Sequence, residues 1–309
     1  TEKSGICDAC NCLLFRRTCG TLRGEIMTIS NVRRVLLSHD EYHADKERIS
    51  ASGLKIIAGQ SLRHFKNRQE GGTDETDALI FGGAYHCFIL ERSEFYRKYA
   101  ILDEAERPEP EKNMASNKNK AWKSDLLDAA AGAGQTVITR ADYETIKEMR
   151  NALYQNRDIA ELLTGGESEV SFHFDVGTLQ GKCRFDYVRG NVAIDLKTTI
   201  DASPRAFGMD AYRRKYHIQA AFYSDVLTAE RGEKTAFYYI AQEKKPPYIS
   251  QLYVVSDAVI EKGRTEYQNA IEKLQAAIAF DYWPAYEDST EFGGARELFF
   301  PNFRTDGAL

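Results

Sequence analysis

The segment Gly181-Lys-Cys-Arg-Phe-Asp186-Tyr-Val-Arg-Gly190-Asn191-Val-Ala-Ile-Asp195-Leu-Lys197 carries two carboxylates and an ammonium at strand spacing. With Gly190-Asn191 as a two-residue hairpin turn, Arg189 pairs with Val192, and counting back sets Asp186 opposite Asp195. Phe185, Tyr187, Ile194 and Leu196 then share the other face, so the alternation sends the apolar side to the core and the acids outward. Opposed like charges repel unless a cation lies between them, and a divalent metal meets that need. Lys197, two residues after Asp195, lies on the same face and completes an Asp … Asp-x-Lys set. Such parts suit phosphodiester hydrolysis, which needs a barrier lowered by on the order of 20 kcal/mol. Hard oxygen ligands hold Mg²⁺ or Mn²⁺, the ion polarises phosphate and activates water, and the lysine offsets developing charge. An amphipathic hairpin with a solvated acidic face accounts for the same spacing.

Further along, Tyr212-Arg-Arg-Lys-Tyr216-His-Ile-Gln219-Ala-Ala-Phe-Tyr223 puts Tyr212, Tyr216, Gln219 and Tyr223 on one helical stripe. A core stripe rarely includes a glutamine. Arg213, Arg214 and Lys215 form a dense basic run beside Tyr216, suited to phosphates and to stacking on bases; a solvated charged face is the alternative. His86 stands in an apolar helical segment after Gly82-Gly83, where a histidine is more often a satisfied core residue than a ligand.

The elements that must position these groups follow from periodicity. Residues 51–65 have helical spacing, as do 79–90, and helical segments extend up to residue 163. Two prolines and many charges make 107–120 a mobile surface loop. The period then changes to two: residues 170–176, 182–188 and 192–197 read as strands. Ser203-Pro204 starts a helix that carries on, with a break, to residue 227; 235–241 and 248–255 are further strands, and 258–280 is a long amphipathic helix. Strands, helix, more strands and a closing helix describe an α/β fold, a mixed sheet flanked by helices.

Length and composition set the outer bounds. A chain of 309 residues, 43% hydrophobic and 28% charged, can bury one main core, and a net charge of −5 argues against a uniformly basic coat for nucleic acid. No apolar run approaches a membrane span, so the chain reads as cytoplasmic. Cys87 and Cys183 sit in apolar patterns typical of reduced core thiols. Cys7, Cys10, Cys12 and Cys19 cluster within residues 1–35, an arginine-rich stretch read as an appendage, disordered or non-native, to a domain over 36–309. Their spacing matches no template for Zn²⁺ or an iron-sulfur cluster, and neither is expected there.

Four landmarks occur in order: Gly-Gly-Ala-Tyr-His86 leading to Leu90-Glu91, Cys-Arg-Phe-Asp186, Ile-Asp195-Leu-Lys197-Thr-Thr, and Tyr216-His-Ile-Gln219-Ala-Ala-Phe-Tyr223. With them the chain resembles the RecE-type (exonuclease VIII) nuclease domains of phages and prophages, in the PD-(D/E)XK superfamily that includes the RecB nuclease domain and lambda exonuclease. The resemblance implies a restriction-endonuclease-like fold and a Mg²⁺- or Mn²⁺-dependent exonuclease acting on ends of double-stranded DNA, 5′ to 3′, in recombination. By it, His86, Asp186 and Asp195 would be metal ligands, Lys197 the catalytic lysine, and Gln219 and Tyr223 the helix motif supporting the site. Glu169 would be an additional acid, Trp283-Pro284 a structural landmark, and Arg213, Arg214, Lys215 and Tyr216 the DNA contact. It also implies a homo-oligomeric ring and a single-strand annealing recombinase as partner. Phe185 stands where the superfamily name has proline, and Asp195 where glutamate is common. A single-strand-specific or endonucleolytic relative shares every motif, and a catalytically inactive DNA-binding module is the non-enzymatic alternative.

Overall fold

A computed structural model describes residues 28–71 and 76–286. Cys7, Cys10, Cys12 and Cys19 lie outside the described residues. In chain order the strands are β1 (Ile29–Val35), β2 (Tyr99–Leu102), β3 (Thr136–Thr139), β4 (Glu167–Val176), β5 (Leu179–Arg189), β6 (Val192–Thr199), β7 (Ala236–Glu243) and β8 (Ser250–Val254). The helices are α1 (His39–Ala44), α2 (Ala51–Gly59), α3 (Leu62–Glu70), α4 (Asp77–Leu90), α5 (Phe95–Lys98), α6 (Asn117–Gly132), α7 (Arg140–Gln155), α8 (Arg157–Leu162), α9 (Pro204–Arg213), α10 (Tyr216–Arg231) and α11 (Asp257–Phe280).

Six strands form one sheet in the order β1-β4-β5-β6-β7-β8, antiparallel throughout except for the parallel β6/β7 pair; β2 and β3 make a separate parallel pair. The hairpin register comes out as the sequence requires: Arg189 pairs with Val192 and Tyr187 with Ile194, and Gly190 takes the positive φ (59°) of the turn.

The two faces of the sheet carry separate apolar clusters. On one, α2, α3, α10 and α11 cover Phe172, Phe174, Phe185 and Phe237 with residues such as Leu54, Phe65, Phe222 and Tyr267. On the other, α4 and α7 supply Tyr85, Phe88, Ile146 and Met149 against Tyr187, Ile194, Leu196 and Ile240. Each fully buried aromatic of this kind contributes roughly 2–3 kcal/mol through loss of water-exposed surface. Both faces being covered, the acid-bearing face does not look outward to solvent: Asp195 is only 2% exposed. Nor does Phe185 share a face with Tyr187, since it packs in the other cluster. Opposite that step, between the pairs Ser168↔Tyr187 and Val170↔Phe185, Glu169 of β4 adopts φ 54°, so both strands depart from regular geometry beside Asp186.

Other departures from the sequence reading have local causes. Ile29–Val35, placed there in the appendage, is the edge strand against β4. The 51–65 helix is two helices, because the Ser61 side chain accepts the His64 N–H and starts a new one. The break in the 203–227 helix falls at Lys215, which takes φ 57° between α9 and α10. Residues 107–120 are held rather than loose. Asn119, fully buried, donates to the carbonyls of Glu109, Lys112 and Asn113 and accepts from the Glu109 N–H. Cys87 and Cys183 are buried free thiols, and burial raises both above the ordinary thiol range.

Helices α10 and α11 approach closely at Gly263, where a Cβ would overlap the carbonyl oxygen of His217. Gly263→Ala should therefore destabilise the protein by about 1–3 kcal/mol, read as a lower midpoint in urea unfolding; an unchanged midpoint would show that the helices do not need this closeness.

Candidate active site

Strands β5 and β6 part company at the acids. Their ladder runs to Tyr187↔Ile194; one step on, the Leu196 N–H donates to Asp186 Oδ2 (2.9 Å) instead of to a β5 carbonyl. This fork leaves room for two carboxylates that a closed ladder would press together. From α4, His86 Nδ1 comes within 3.3 Å of the same Asp186 Oδ2. The two landmarks, separated by a hundred residues of chain, thus meet because α4 packs on the β5–β6 face that holds Tyr187 and Leu196.

Asp195 sits under α10. Its Oδ2 accepts from Gln219 Nε2 at 2.5 Å, while the Lys197 ammonium touches Oδ1. That Oδ1 is buried, and apart from the Lys197 ammonium it has no hydrogen-bond partner among the described residues. Lys197 lies over the rings of Tyr216 (5.1 Å) and Tyr239 (5.8 Å), which stack on each other. Burial and the neighbouring Asp186 charge raise the Asp195 carboxyl above the ordinary carboxylate range, against the pull of Lys197. For Lys197 burial works against the charge, but Asp195 and Asp186 outweigh it and raise the ammonium to about 12.

Glu169 reaches the same cluster from β4. Burial, then Asp186 and Glu91, push its carboxyl up to about 8, with Arg184 and Lys98 opposing. Glu91, at the end of α4, is itself paired with Lys98 at 2.6 Å.

Of the residues singled out in sequence, the structure brings His86, Asp186, Asp195, Lys197, Gln219, Tyr216 and Glu169 together. Tyr223, one turn beyond Gln219, packs its ring on Phe185 (4.9 Å) and Phe237 (6.5 Å) as part of the core. Tyr212 leaves the stripe because the helix breaks after it, and it is exposed. The basic run is partly matched by acids: Arg214 binds Asp210 at 2.8 Å and Lys215 binds Glu266 at 3.0 Å, while Arg213 is exposed with no ion pair among the described residues. Trp283-Pro284 docks on α3, where the Pro284 carbonyl accepts the Arg63 N–H and Lys66 lies over the indole.

One neighbour of the site was missed in sequence. Lys55 of α2 donates to Gln219 Oε1 at 3.4 Å and lies 5.7 Å from the Tyr216 ring. Its signal was a single charge inside the apolar run Leu54-Lys55-Ile56-Ile57.

The donors suit a hard divalent cation in type: two carboxylates, Asp186 and Asp195, with the imidazole of His86. They are not already drawn into a cage, for no group of three His, Cys, Asp or Glu is gathered tightly enough for a metal among the described residues. No helix among them is long and apolar enough to cross a membrane.

A family described as a PDDEXK-like domain of unknown function matches residues 50–293. The fold is similar to a solved structure from Eubacterium rectale described as "Putative exonuclease", with a TM-score of 0.57 at 17% identity, covering 86% of this chain and 96% of that one. A second solved structure, SSO0001, aligns over 85% of this chain and 84% of its own at 12% identity, but its TM-score of 0.29 carries no argument. No curated protein matches the sequence.

Because the Asp195 and Glu169 carboxyls are raised in the fold, the folded state holds protons that the unfolded chain releases. Stability without metal should then fall as pH rises from the ordinary carboxylate range through about 8. Thermal unfolding should show this decline, and added Mn²⁺ should raise the midpoint more at pH 8 than at pH 5. A metal-free midpoint that rises over this range would contradict the assignment.

Proposed function

The chain belongs to the PDDEXK-like family, and on that premise we propose that it is a divalent-cation-dependent exonuclease that hydrolyses linear double-stranded DNA from its ends, 5′ to 3′. The observation that carries this reading is the Asp195 carboxylate held between Lys197 and Gln219 beside the Asp186–His86 pair. Family members of this type generally use Mg²⁺ or Mn²⁺, and Asp186, Asp195 and His86 would hold such an ion here. Bound there, it would polarise the phosphate and acidify the attacking water.

The chain's own groups divide the remaining work. Lys197 stays protonated through the neutral range because the two acids hold it so, and it therefore acts as a cation and donor to a phosphate oxygen rather than as a base. Gln219 fixes the orientation of Asp195 by donating to Oδ2. Glu169, whose carboxyl is raised by burial and by the charge of Asp186, stands 3.8 Å from Arg184 as an additional acid of the site. Tyr216 and Tyr239 shape the wall against which the Lys197 ammonium rests.

The exonuclease description of the Eubacterium rectale structure agrees with end-directed degradation, and the resemblance to RecE-type domains supplies the polarity. The same resemblance makes a homo-oligomeric ring, with an annealing recombinase as partner in recombination, part of the proposal. Arg213 and Tyr216 would then face the DNA path, with Arg214 and Lys215 drawn from their acids by the backbone.

End-labelled linear duplex and a covalently closed circle, each with Mg²⁺, test the reading. We expect label to be lost from the linear DNA alone, and Lys197→Ala to lower the rate at least about a hundredfold, the scale for a group that stabilises transition-state charge. Cutting of the circle would make the protein an endonuclease. Absence of any cleavage, with binding retained, would make it a DNA-binding module.

A further inference from the structure

Several lysines lie partly or wholly buried around the site, and their charges are met in different ways. Lys197 touches Asp195, Lys215 pairs with Glu266, and Lys182 donates to the backbone carbonyls of Tyr42 and Asp45 under the Tyr42 ring. Lys55 has no such partner. Its ammonium has three donors, yet among the described residues it makes one long hydrogen bond, 3.4 Å, to the neutral Oε1 of Gln219 and lies 5.7 Å from the Tyr216 ring, and no carboxylate there is within ion-pair reach. The charges acting on it are mostly like its own. Burial first, then Lys197, push it down to about 8, with Asp195 opposing and Arg68 and Arg214 adding smaller effects.

An ammonium held with so little compensation costs free energy that an anion would remove. Arg68 is exposed on α3 with no ion pair among the described residues, whereas Arg214 at the α9–α10 break is paired with Asp210 and Lys197 with Asp195. In a protein of net charge −5, an unpaired ammonium beside Gln219, with Arg68 exposed on the next helix, offers a polyanion a local attraction at one edge of the site. Gln219 links the two halves, its Nε2 donating to Asp195 and its Oε1 accepting from Lys55. The amide thereby sets both the carboxylate and the second ammonium.

We propose that Lys55 is a second phosphate-binding residue of this active site, contacting a DNA phosphate adjacent to the one served by Lys197, with Gln219 setting the spacing between that contact and Asp195. The assignment rests on the nuclease reading above. It predicts a loss in substrate binding rather than in chemistry, which separates it from a role in merely orienting Gln219.

Lys55→Met keeps the apolar stem and removes the charge; Lys55→Arg keeps the charge. Binding of a fluorescein-labelled duplex would be followed by anisotropy across a salt series, with Ca²⁺ replacing Mg²⁺ so that the probe stays intact. Melting curves would establish that both variants fold. For Lys55→Met we expect about tenfold weaker binding at low salt and a log–log salt slope shallower by about 0.9, the value for one lost phosphate contact. Lys55→Arg should restore the slope. In Mg²⁺, Lys55→Met should raise KM more than it lowers kcat. An unchanged slope together with a fall in kcat alone would overturn the proposal and leave Lys55 as a positioning residue for Gln219. Failure of the folded wild-type protein to bind or cleave duplex would instead remove the nuclease reading, and this inference with it.

Discussion

The structure turns on the repulsion among carboxylates that the fold gathers at one point. Asp186 and Asp195 would face each other across a closed ladder, and Glu169 arrives from the third strand. The chain relieves this by opening the ladder, by giving Asp186 the Leu196 N–H and His86, and by setting Lys197 and Gln219 on Asp195. What relief it withholds appears as the raised carboxyls of Asp195 and Glu169. Carboxyls raised in this way hold a proton more readily than ordinary ones, and under the function proposed above a divalent cation would take the place of that proton.

The two apolar clusters exist to keep that point fixed. One face of the sheet needs α10 close enough for Gln219 to reach Asp195, and Gly263 of α11 lets α10 lie that low. The other face needs α4 against Tyr187 and Leu196, which brings His86 to Asp186. Packing and chemistry are thus the same contacts seen from two sides. The break at Lys215 has a similar logic: it frees Tyr216 to begin α10 under Lys197 while Lys215 turns to Glu266.

Charge is distributed with the same economy. Glu266 collects Lys215, His217 and Lys262, and those three donors overcome burial to hold its carboxyl down at about 2. Lys55, Arg68 and Arg213 are among the cations with no ion pair in the described residues, and of these three Lys55 is the one that is not exposed.

Much of this was legible in sequence because strand periodicity and turn chemistry are local. Gly190-Asn191 set the register of β5 and β6, which holds as far as Tyr187↔Ile194, and the ladder opens just where Asp186 and Asp195 would have paired. The His86, Asp195-x-Lys197 and Gln219 landmarks were likewise visible as residues at fixed spacings. What the sequence alone could not settle was everything that depends on a neighbour distant along the chain. That the acid face is covered by α10, that Phe185 and Tyr187 part to different cores at Glu169, that Ile29–Val35 closes the sheet edge, and that Lys55 lies beside Gln219 are decided by packing. The physical reason is range: backbone pattern is written in the next few residues, whereas burial and the fields that shift a carboxyl or an ammonium come from whichever elements the core brings alongside.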